Sequence, residues 1–161
     1  MQKKRFLELG CGSGLISIVA SKKGASVVAT DINPVAVEML KKNCILNAAN
    51  LEIIESDLFQ HIPEQQFDII AINPPYYKKT PVTNADHAWF CGENGEYFAT
   101  LFADITGYMH STTEILMVLF EGCDMQMIKD HAAKNNFVLH NVCCKQNLLE
   151  KTFIYKIEMV I

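Results

Sequence analysis

Long apolar runs are missing from this sequence. Half of its 161 residues are hydrophobic, yet no uncharged apolar stretch approaches the roughly 18 to 20 residues that a membrane-spanning helix needs. The basic opening, Met1 to Arg5, is not followed by the apolar stretch of a secretory signal peptide. We therefore expect a cytoplasmic protein with no membrane partner. The length favours a single domain over residues 1–161.

Cysteine pairs with metal-ligand spacing and an excess of positive charge are also absent. The six cysteines form no CxxC pair, and only Cys143 and Cys144 are adjacent. We therefore predict buried cytosolic thiols and no metal site. The net charge of −4 disfavours a protein whose affinity comes mainly from neutralising phosphates.

Short apolar runs alternate with helical patterns along the chain, which is typical of a parallel sheet covered on both faces. The predicted strands are Arg5–Leu9, Ser26–Thr30, Leu51–Glu55, Phe67–Ile72 and Ile115–Phe120. The predicted helices are Leu15–Lys23, Pro34–Asn47, Glu96–Met109 and Asp124–Asn135. Two further strands, Phe137–Lys145 and Phe153–Ile161, are joined by a connection too short for a helix, so they should pair antiparallel.

A glycine-rich turn follows the first predicted strand, with the sequence Gly10-Cys11-Gly12-Ser13-Gly14. Glycines there allow a sharp turn and a close approach of the backbone to a ligand. A dinucleotide fingerprint would need glycine where Leu15 or Ser17 stands, and no Gly-Lys-Ser/Thr follows, as a P-loop would require. The turn is therefore predicted to bind a ligand other than NAD or a phosphate.

The fourth predicted strand runs directly into Asn73-Pro74-Pro75-Tyr76. In open α/β sheets, ligands bind beyond the carboxyl ends of the strands. The side-chain oxygen of Asn73 and the carbonyl of Pro74 could accept both N–H groups of a planar amide or amino nitrogen. Tyr76 would offer a flat wall for such a group. The motif therefore favours chemistry at a delocalised nitrogen, although an Asn-Pro turn alone is common.

The acidic Glu8 before G-x-G-x-G, together with Asn-Pro-Pro-Tyr, resembles the class I S-adenosylmethionine-dependent methyltransferases, and the match runs from end to end. The resemblance implies a Rossmann-like, doubly wound α/β fold. Its mainly parallel seven-stranded sheet has the order 3-2-1-4-5-7-6, with the last strand antiparallel. The resemblance also implies S-adenosylmethionine as cofactor. The residues implied to hold it are Glu8, Gly10, Cys11, Gly12, Gly14, Asp31, Ile32, Asp57, Leu58 and Asn73.

Five of these cofactor-binding residues have a specific expected role in that family. Glu8 positions the amino end of the cofactor, Asp31 accepts the ribose hydroxyls and Ile32 lies against the adenine. Asp57 accepts the adenine amino group, while the backbone N–H of Leu58 reaches the ring. The residues alone leave alternatives open, since either aspartate could instead cap a helix and Ile32 could be ordinary core.

The segment from Tyr77 to Gly95 is 19 residues long, which suggests a substrate-facing loop. Its Ala88-Trp89 and Gly92-x-x-Gly95 resemble HemK/PrmC-type glutamine methyltransferases, especially a short form found with eukaryotic and archaeal release factors, although Phe90 and Cys91 depart from that pattern. The resemblance implies Asn73, Pro74, Pro75 and Tyr76 as catalytic residues. Tyr76 and Trp89 would bind substrate, although Trp89 could instead pack the loop onto the domain.

Three functions follow from these observations. The first is N5-glutamine methylation of a translation release factor, with a small activating subunit as a further partner. The second is methylation of RNA or DNA at adenine N6 or guanine N2. The third is a cofactor-binding scaffold without activity, against which the intact Asn-Pro-Pro-Tyr motif argues.

Overall fold

The computed structural model describes residues 1–146 and 150–160. The elements are β1 (Arg5–Leu9), α1 (Leu15–Lys22), β2 (Ser26–Asp31), α2 (Pro34–Asn47), β3 (Glu52–Glu55), β4 (Phe67–Ile72), α3 (Glu96–Asp104), β5 (Met109–Phe120), α4 (Met125–Lys134), β6 (Phe137–Gln146) and β7 (Lys151–Met159). Short 3₁₀ turns cover Asp86–Ala88 and Ile105–Tyr108. The predicted end of the last strand, Ile161, lies outside the described residues. Within the described ranges, no helix is long and apolar enough to cross a membrane.

All seven strands join one mixed sheet with the order β3-β2-β1-β4-β5-β7-β6. β2 pairs parallel with both β1 and β3. β7 runs antiparallel to β5 and to β6, with a register shift between Asn141 and Cys143. The predicted Rossmann-like α/β fold and its strand order are therefore confirmed.

The chain forms two compact units, and the first comprises Met1–Ala71 and Thr106–Thr113. Its core joins α1 and α2 to the face of β2. The central side chains are apolar and buried: Cys11, Ile18, Ala29, Leu40 and Cys44. Asn33 caps α2 by accepting a hydrogen bond from Val35 N at 3.0 Å, and Pro34 opens the helix, where its missing N–H is not needed.

The second unit comprises Ile72–Ile105 and Glu114–Ile161. One face of α3 is fully buried, with Phe98, Leu101 and Phe102 in the core. The rings of Phe102 and Phe137 lie 5.8 Å apart between centroids, which joins α3 to the start of β6. Asp124 caps α4 through a 3.0 Å bond from Met127 N.

The predicted boundary between the third helix and the fifth strand is wrong. The helix ends at Asp104 instead of Met109, and β5 begins at Met109 instead of Ile115. The cause is a long-range contact: the Tyr108 hydroxyl donates to the carbonyls of Phe59 and Ile62 at 3.2 and 3.1 Å. The Tyr108 ring also stacks on Phe59 at 4.5 Å. These contacts override the local helical periodicity.

The cysteines only partly match the expectation of buried thiols. Four are buried, namely Cys11, Cys44, Cys91 and Cys123. Cys143 and Cys144 are exposed on β6. An edge strand has one side of its ladder unpaired, so the apolar character of this cysteine pair does not imply burial.

Candidate functional site

The glycine-rich turn links β1 to α1 through three left-handed residues. Gly10, Gly12 and Gly14 have φ values of 71°, 53° and 77°. A Cβ at Gly14 would stand 2.0 Å from Leu40 Cδ1, whereas one at Gly12 would meet nothing within 4 Å. The turn is therefore packed against the core at its end and open at its middle, where a ligand can approach the backbone.

Glu8, near the end of β1, is a buried carboxylate with only 5% of its surface exposed. Its Oε2 accepts hydrogen bonds from Ser17 N at 2.9 Å and from Ser17 Oγ. Burial raises the pKa of Glu8, while the two bonds from Ser17 oppose that shift and the charge of Asp31 adds to it. The sequence motif identified Glu8 but gave no sign of its partner.

Asp31, the last residue of β2, holds the turn in place. Its Oδ2 accepts from Gly12 N at 2.9 Å and its Oδ1 from Asn33 N at 2.9 Å. The helix-cap alternative for Asp31 is wrong, because Asn33 occupies that position. Each carboxylate oxygen keeps a further lone pair, so Asp31 can still accept from a ligand.

Asp57, the third acid, follows β3 and is exposed. No α-helix follows it before β4 in this fully described stretch, so it is not a helix cap. Leu58 next to it is buried in a left-handed conformation, with φ of 46°. The Ser56 hydroxyl fixes this bend by donating to Leu58 O and accepting from His61 N, both at 3.0 Å. Ile32 is half-buried.

Glu8, Asp31 and Asp57 lie at the carboxyl ends of neighbouring parallel strands, which share one edge of the first unit. The turn beside them contains no lysine or arginine. Three acids suit a ligand with an ammonium group, vicinal hydroxyls and an amino group, and they repel phosphates. This set of acceptors and the open backbone at Gly12 fit S-adenosylmethionine.

In the second unit, Asn73-Pro74-Pro75-Tyr76 directly follows β4. Asn73 is exposed, the two prolines are buried and Tyr76 is half-buried. The Tyr76 ring lies 4.3 Å from that of Phe120 between centroids, and burial raises the pKa of its hydroxyl. The prolines thus anchor the motif while Asn73 stays accessible.

The long loop after this motif folds back onto it through its backbone. Trp89 O accepts hydrogen bonds from Tyr76 N at 3.1 Å and from Tyr77 N at 2.9 Å, and Cys91 N donates to Tyr77 O at 2.9 Å. Trp89 is 53% exposed. The backbone of Trp89 therefore fastens the loop, and about half of the residue's surface stays accessible.

Asp86 holds this loop together through hydrogen bonds, and it was not predicted from the sequence. Its carboxylate accepts from Val82 N and Thr83 N at 3.0 and 2.9 Å, while Asp86 N donates to Thr83 Oγ1 at 3.3 Å. These backbone bonds hold the pKa of Asp86 below its usual value. Thr83-x-x-Asp86 has the reciprocal geometry of a capping box, and that spacing is the signal that could have revealed it.

Three further residues make structural contacts. Asp68 accepts from Arg5 N at 2.7 Å at the start of β4, away from the strand's carboxyl end. Gly95 opens α3, and a Cβ there would stand 2.7 Å from Met127 Sδ. Lys78 makes an ion pair with Asp124 at 2.6 Å. Gly95 and Lys78 thus contact α4 and its cap within the second unit, whereas Asp68 lies at the opposite end of β4 from the Asn-Pro-Pro-Tyr motif.

Residues 1–94 match the model of the methyltransferase small domain family. The chain therefore belongs to that family, and its motifs are those of a class I, HemK/PrmC-type member.

Two curated relatives share part of the chain. One, named "Putative protein N5-glutamine methyltransferase" from Methanocaldococcus jannaschii, is 49% identical over 77 residues, covering 47% of this chain and 39% of that protein. The other, a release factor glutamine methyltransferase from Lactococcus lactis, is 42% identical over 74 residues, covering 45% of this chain and 27% of that protein. The alignments thus span well under half of either relative.

A solved structure shares the fold more completely. The E. cuniculi Mtq2–Trm112 complex, described as responsible for methylation of the eRF1 termination factor, matches with a TM-score of 0.71. The match covers 99% of this chain and 87% of that one, at 20% identity. At this identity the likeness establishes the fold alone.

Proposed function

We propose that this protein is an S-adenosylmethionine-dependent methyltransferase that modifies the side-chain nitrogen of a glutamine in a translation release factor. The observation that carries the proposal is the exposed Asn73 held after β4 by two buried prolines. Such a rigid, accessible amide oxygen can accept an N–H of a planar carboxamide.

The acidic edge of the first unit supports the cofactor assignment. Glu8 binds the ammonium group, Asp31 the ribose hydroxyls and Asp57 the adenine amino group, with Ile32 and Leu58 beside the ring. Gly10, Cys11, Gly12 and Gly14 allow the backbone to approach the ligand closely. When bound, the cofactor supplies an electrophilic methyl group on its sulfonium.

The catalytic role of Asn73 and Pro74 follows from the chemistry of an amide nitrogen. Its lone pair is delocalised, so it attacks poorly unless it is oriented and its developing positive charge is stabilised. Two fixed oxygen acceptors, from the Asn73 side chain and the Pro74 carbonyl, do both. Pro75 stiffens the backbone, and Tyr76 and Trp89 contact the substrate.

Three observations favour glutamine over a nucleic-acid base. Curated relatives of the first part of the chain include proteins named as glutamine methyltransferases. The net charge of −4 provides little attraction for phosphates. A glutamine on a Gly-Gly-Gln loop can enter a site as an extended side chain, whereas a base in a duplex must first be flipped at a cost of a few kcal/mol.

A small activating subunit is part of the proposal. Large apolar side chains are exposed on α1 and α2 in the first unit: Leu15, Ile16, Val19, Val35 and Met39. Exposed large apolar side chains of this kind can take part in protein association. The solved Mtq2 structure is itself a complex with Trm112.

In the test, the protein is incubated with cofactor that carries a labelled methyl group and with release factor, tRNA or DNA. Each reaction is run with and without a small activating subunit. We expect mass spectrometry to find one added methyl on the glutamine of the Gly-Gly-Gln loop, and no transfer with Asn73→Ala. Label found only in RNA or DNA, with transfer falling steeply as salt rises, would overturn the substrate assignment. Cofactor binding without transfer to any of them would favour the scaffold alternative.

A further inference from the structure

We propose that Ser17 is a positioning residue that holds the Glu8 carboxylate in the charged form and orientation needed to bind the ammonium group of the cofactor. The inference rests on the proposed function, because it requires the cofactor to be S-adenosylmethionine. No sequence motif predicts a role for Ser17, which stands where a dinucleotide-binding fingerprint would have a glycine.

The geometry ties Ser17 to Glu8 alone. Ser17 is the third residue of α1 and is completely buried. Its backbone N–H lies in the first helical turn, where no intrahelical acceptor exists. Both this N–H and the hydroxyl donate to Glu8 Oε2. The other oxygen, Oε1, accepts from no group in the described part of the chain and is left for a ligand.

The electrostatics make the hydroxyl necessary. Burial favours the protonated form of Glu8 and is the largest influence on its pKa. The nearby charges do not help: Asp31 is a like charge, and burial raises the pKa of the Cys11 thiol, which stays neutral. The bonds from Ser17 are the opposing influence. A neutral Glu8 could not form the charge-assisted bond that an ammonium group requires.

The experiment measures S-adenosylmethionine affinity by calorimetry between about pH 5 and 6.5, where an α-amino group with a pKa of about 7.7–8.0 remains largely protonated. Ser17→Ala removes one donor to Glu8. Ser21→Ala is the matched control, because it makes the same change one turn later, where the hydroxyl donates to Asn50 O at 2.8 Å. Ser17→Thr retains the hydroxyl, and Glu8→Gln fixes the side chain in a neutral form.

We expect Ser17→Ala to bind about tenfold more weakly at the acidic end, as for loss of a bond to a charged group. Its affinity should recover as pH rises, with a midpoint above that of the wild type. Ser17→Thr should restore the wild-type profile. Glu8→Gln should bind weakly at every pH, and Ser21→Ala should match the wild type.

A loss for Ser17→Ala that is equal at every pH, or no loss, would overturn the role of Ser17. If Ser17→Ala does not fold, the comparison between wild type and Glu8→Gln still decides: equal affinity and equal pH profiles would refute a charged Glu8. Failure of the wild type itself to bind would instead reject the proposed cofactor.

Discussion

Two alanine substitutions in the glycine-rich turn should separate folding from ligand binding. At Gly14 the new Cβ would stand 2.0 Å from Leu40 Cδ1, and the residue has φ of 77°. Leu40 is fully buried and belongs to the core around β2, so it cannot swing away. The left-handed conformation costs about 1–2 kcal/mol for a non-glycine residue. Overpacking adds about 1–3 kcal/mol.

Gly14→Ala should therefore lower the free energy of unfolding by roughly 2–5 kcal/mol. Gly12→Ala carries only the backbone cost, about 1–2 kcal/mol, because its Cβ would meet nothing within 4 Å. The same open space is the proposed approach of the cofactor to the backbone, so Gly12→Ala, although it destabilises the protein less, should lose cofactor affinity. Urea unfolding followed by circular dichroism gives the stabilities, and calorimetry gives the affinities.

Two results would refute this reasoning. If both variants were equally destabilised, the contact between Gly14 and Leu40 would not determine the packing of the turn. If Gly12→Ala bound the cofactor as tightly as the wild type, the open side of the turn would not face the ligand.

Three further predictions concern single side chains. Asp31→Ala should weaken cofactor binding by about 1.5–3 kcal/mol, roughly 10- to 150-fold, measured by calorimetry; unchanged affinity in a folded variant would remove its ribose role. Asn73→Ala should leave that affinity within a few-fold while single-turnover methyl transfer falls by about two or more orders of magnitude, and near-normal turnover would contradict the acceptor role. Asp86→Ala should speed amide exchange at Val82 and Thr83, whereas Asp86→Asn should do so less. Because its pKa is lowered on folding, the wild-type loop should lose this protection only as pH falls below the usual aspartate value of 3.8.

The approximate positions of the strands could be predicted from the sequence because their patterns are local and repeated, whereas the strand order followed only from the family resemblance. Phe67–Ile72 and Pro34–Asn47 were predicted with their observed bounds, since apolar runs and a proline at the helix start mark them. The segment around Tyr108 was predicted wrongly, because its conformation depends on the carbonyls of Phe59 and Ile62, more than 40 residues away in the chain. Local periodicity carries no information about such a contact.

The same contrast between local sequence patterns and long-range contacts holds for the candidate site. Motif spacing singled out Glu8, Asp31 and Asn73, but it could not show which groups hold them. Ser17 donates to Glu8 across the start of α1. Asp86 ties together a loop that composition describes only as a long connection. Supporting hydrogen bonds depend on how a turn closes, and many residue types can provide them.

The three acids at the edge of the first unit differ in burial, and from this difference we expect each to contribute differently to binding of the proposed cofactor. Glu8 is buried and bonded to Ser17, so folding has already fixed its geometry and removed its water. A carboxylate in that state suits a full positive charge, because the attraction is strongest where the dielectric constant is low. Asp31 is half-buried with backbone donors on both oxygens, which suits neutral hydroxyls at a defined distance. Asp57 is exposed, so a ligand must compete with water there and its bond contributes least to affinity. The affinity of this edge should therefore be concentrated at Glu8 and Asp31, with Asp57 serving mainly to discriminate between bases.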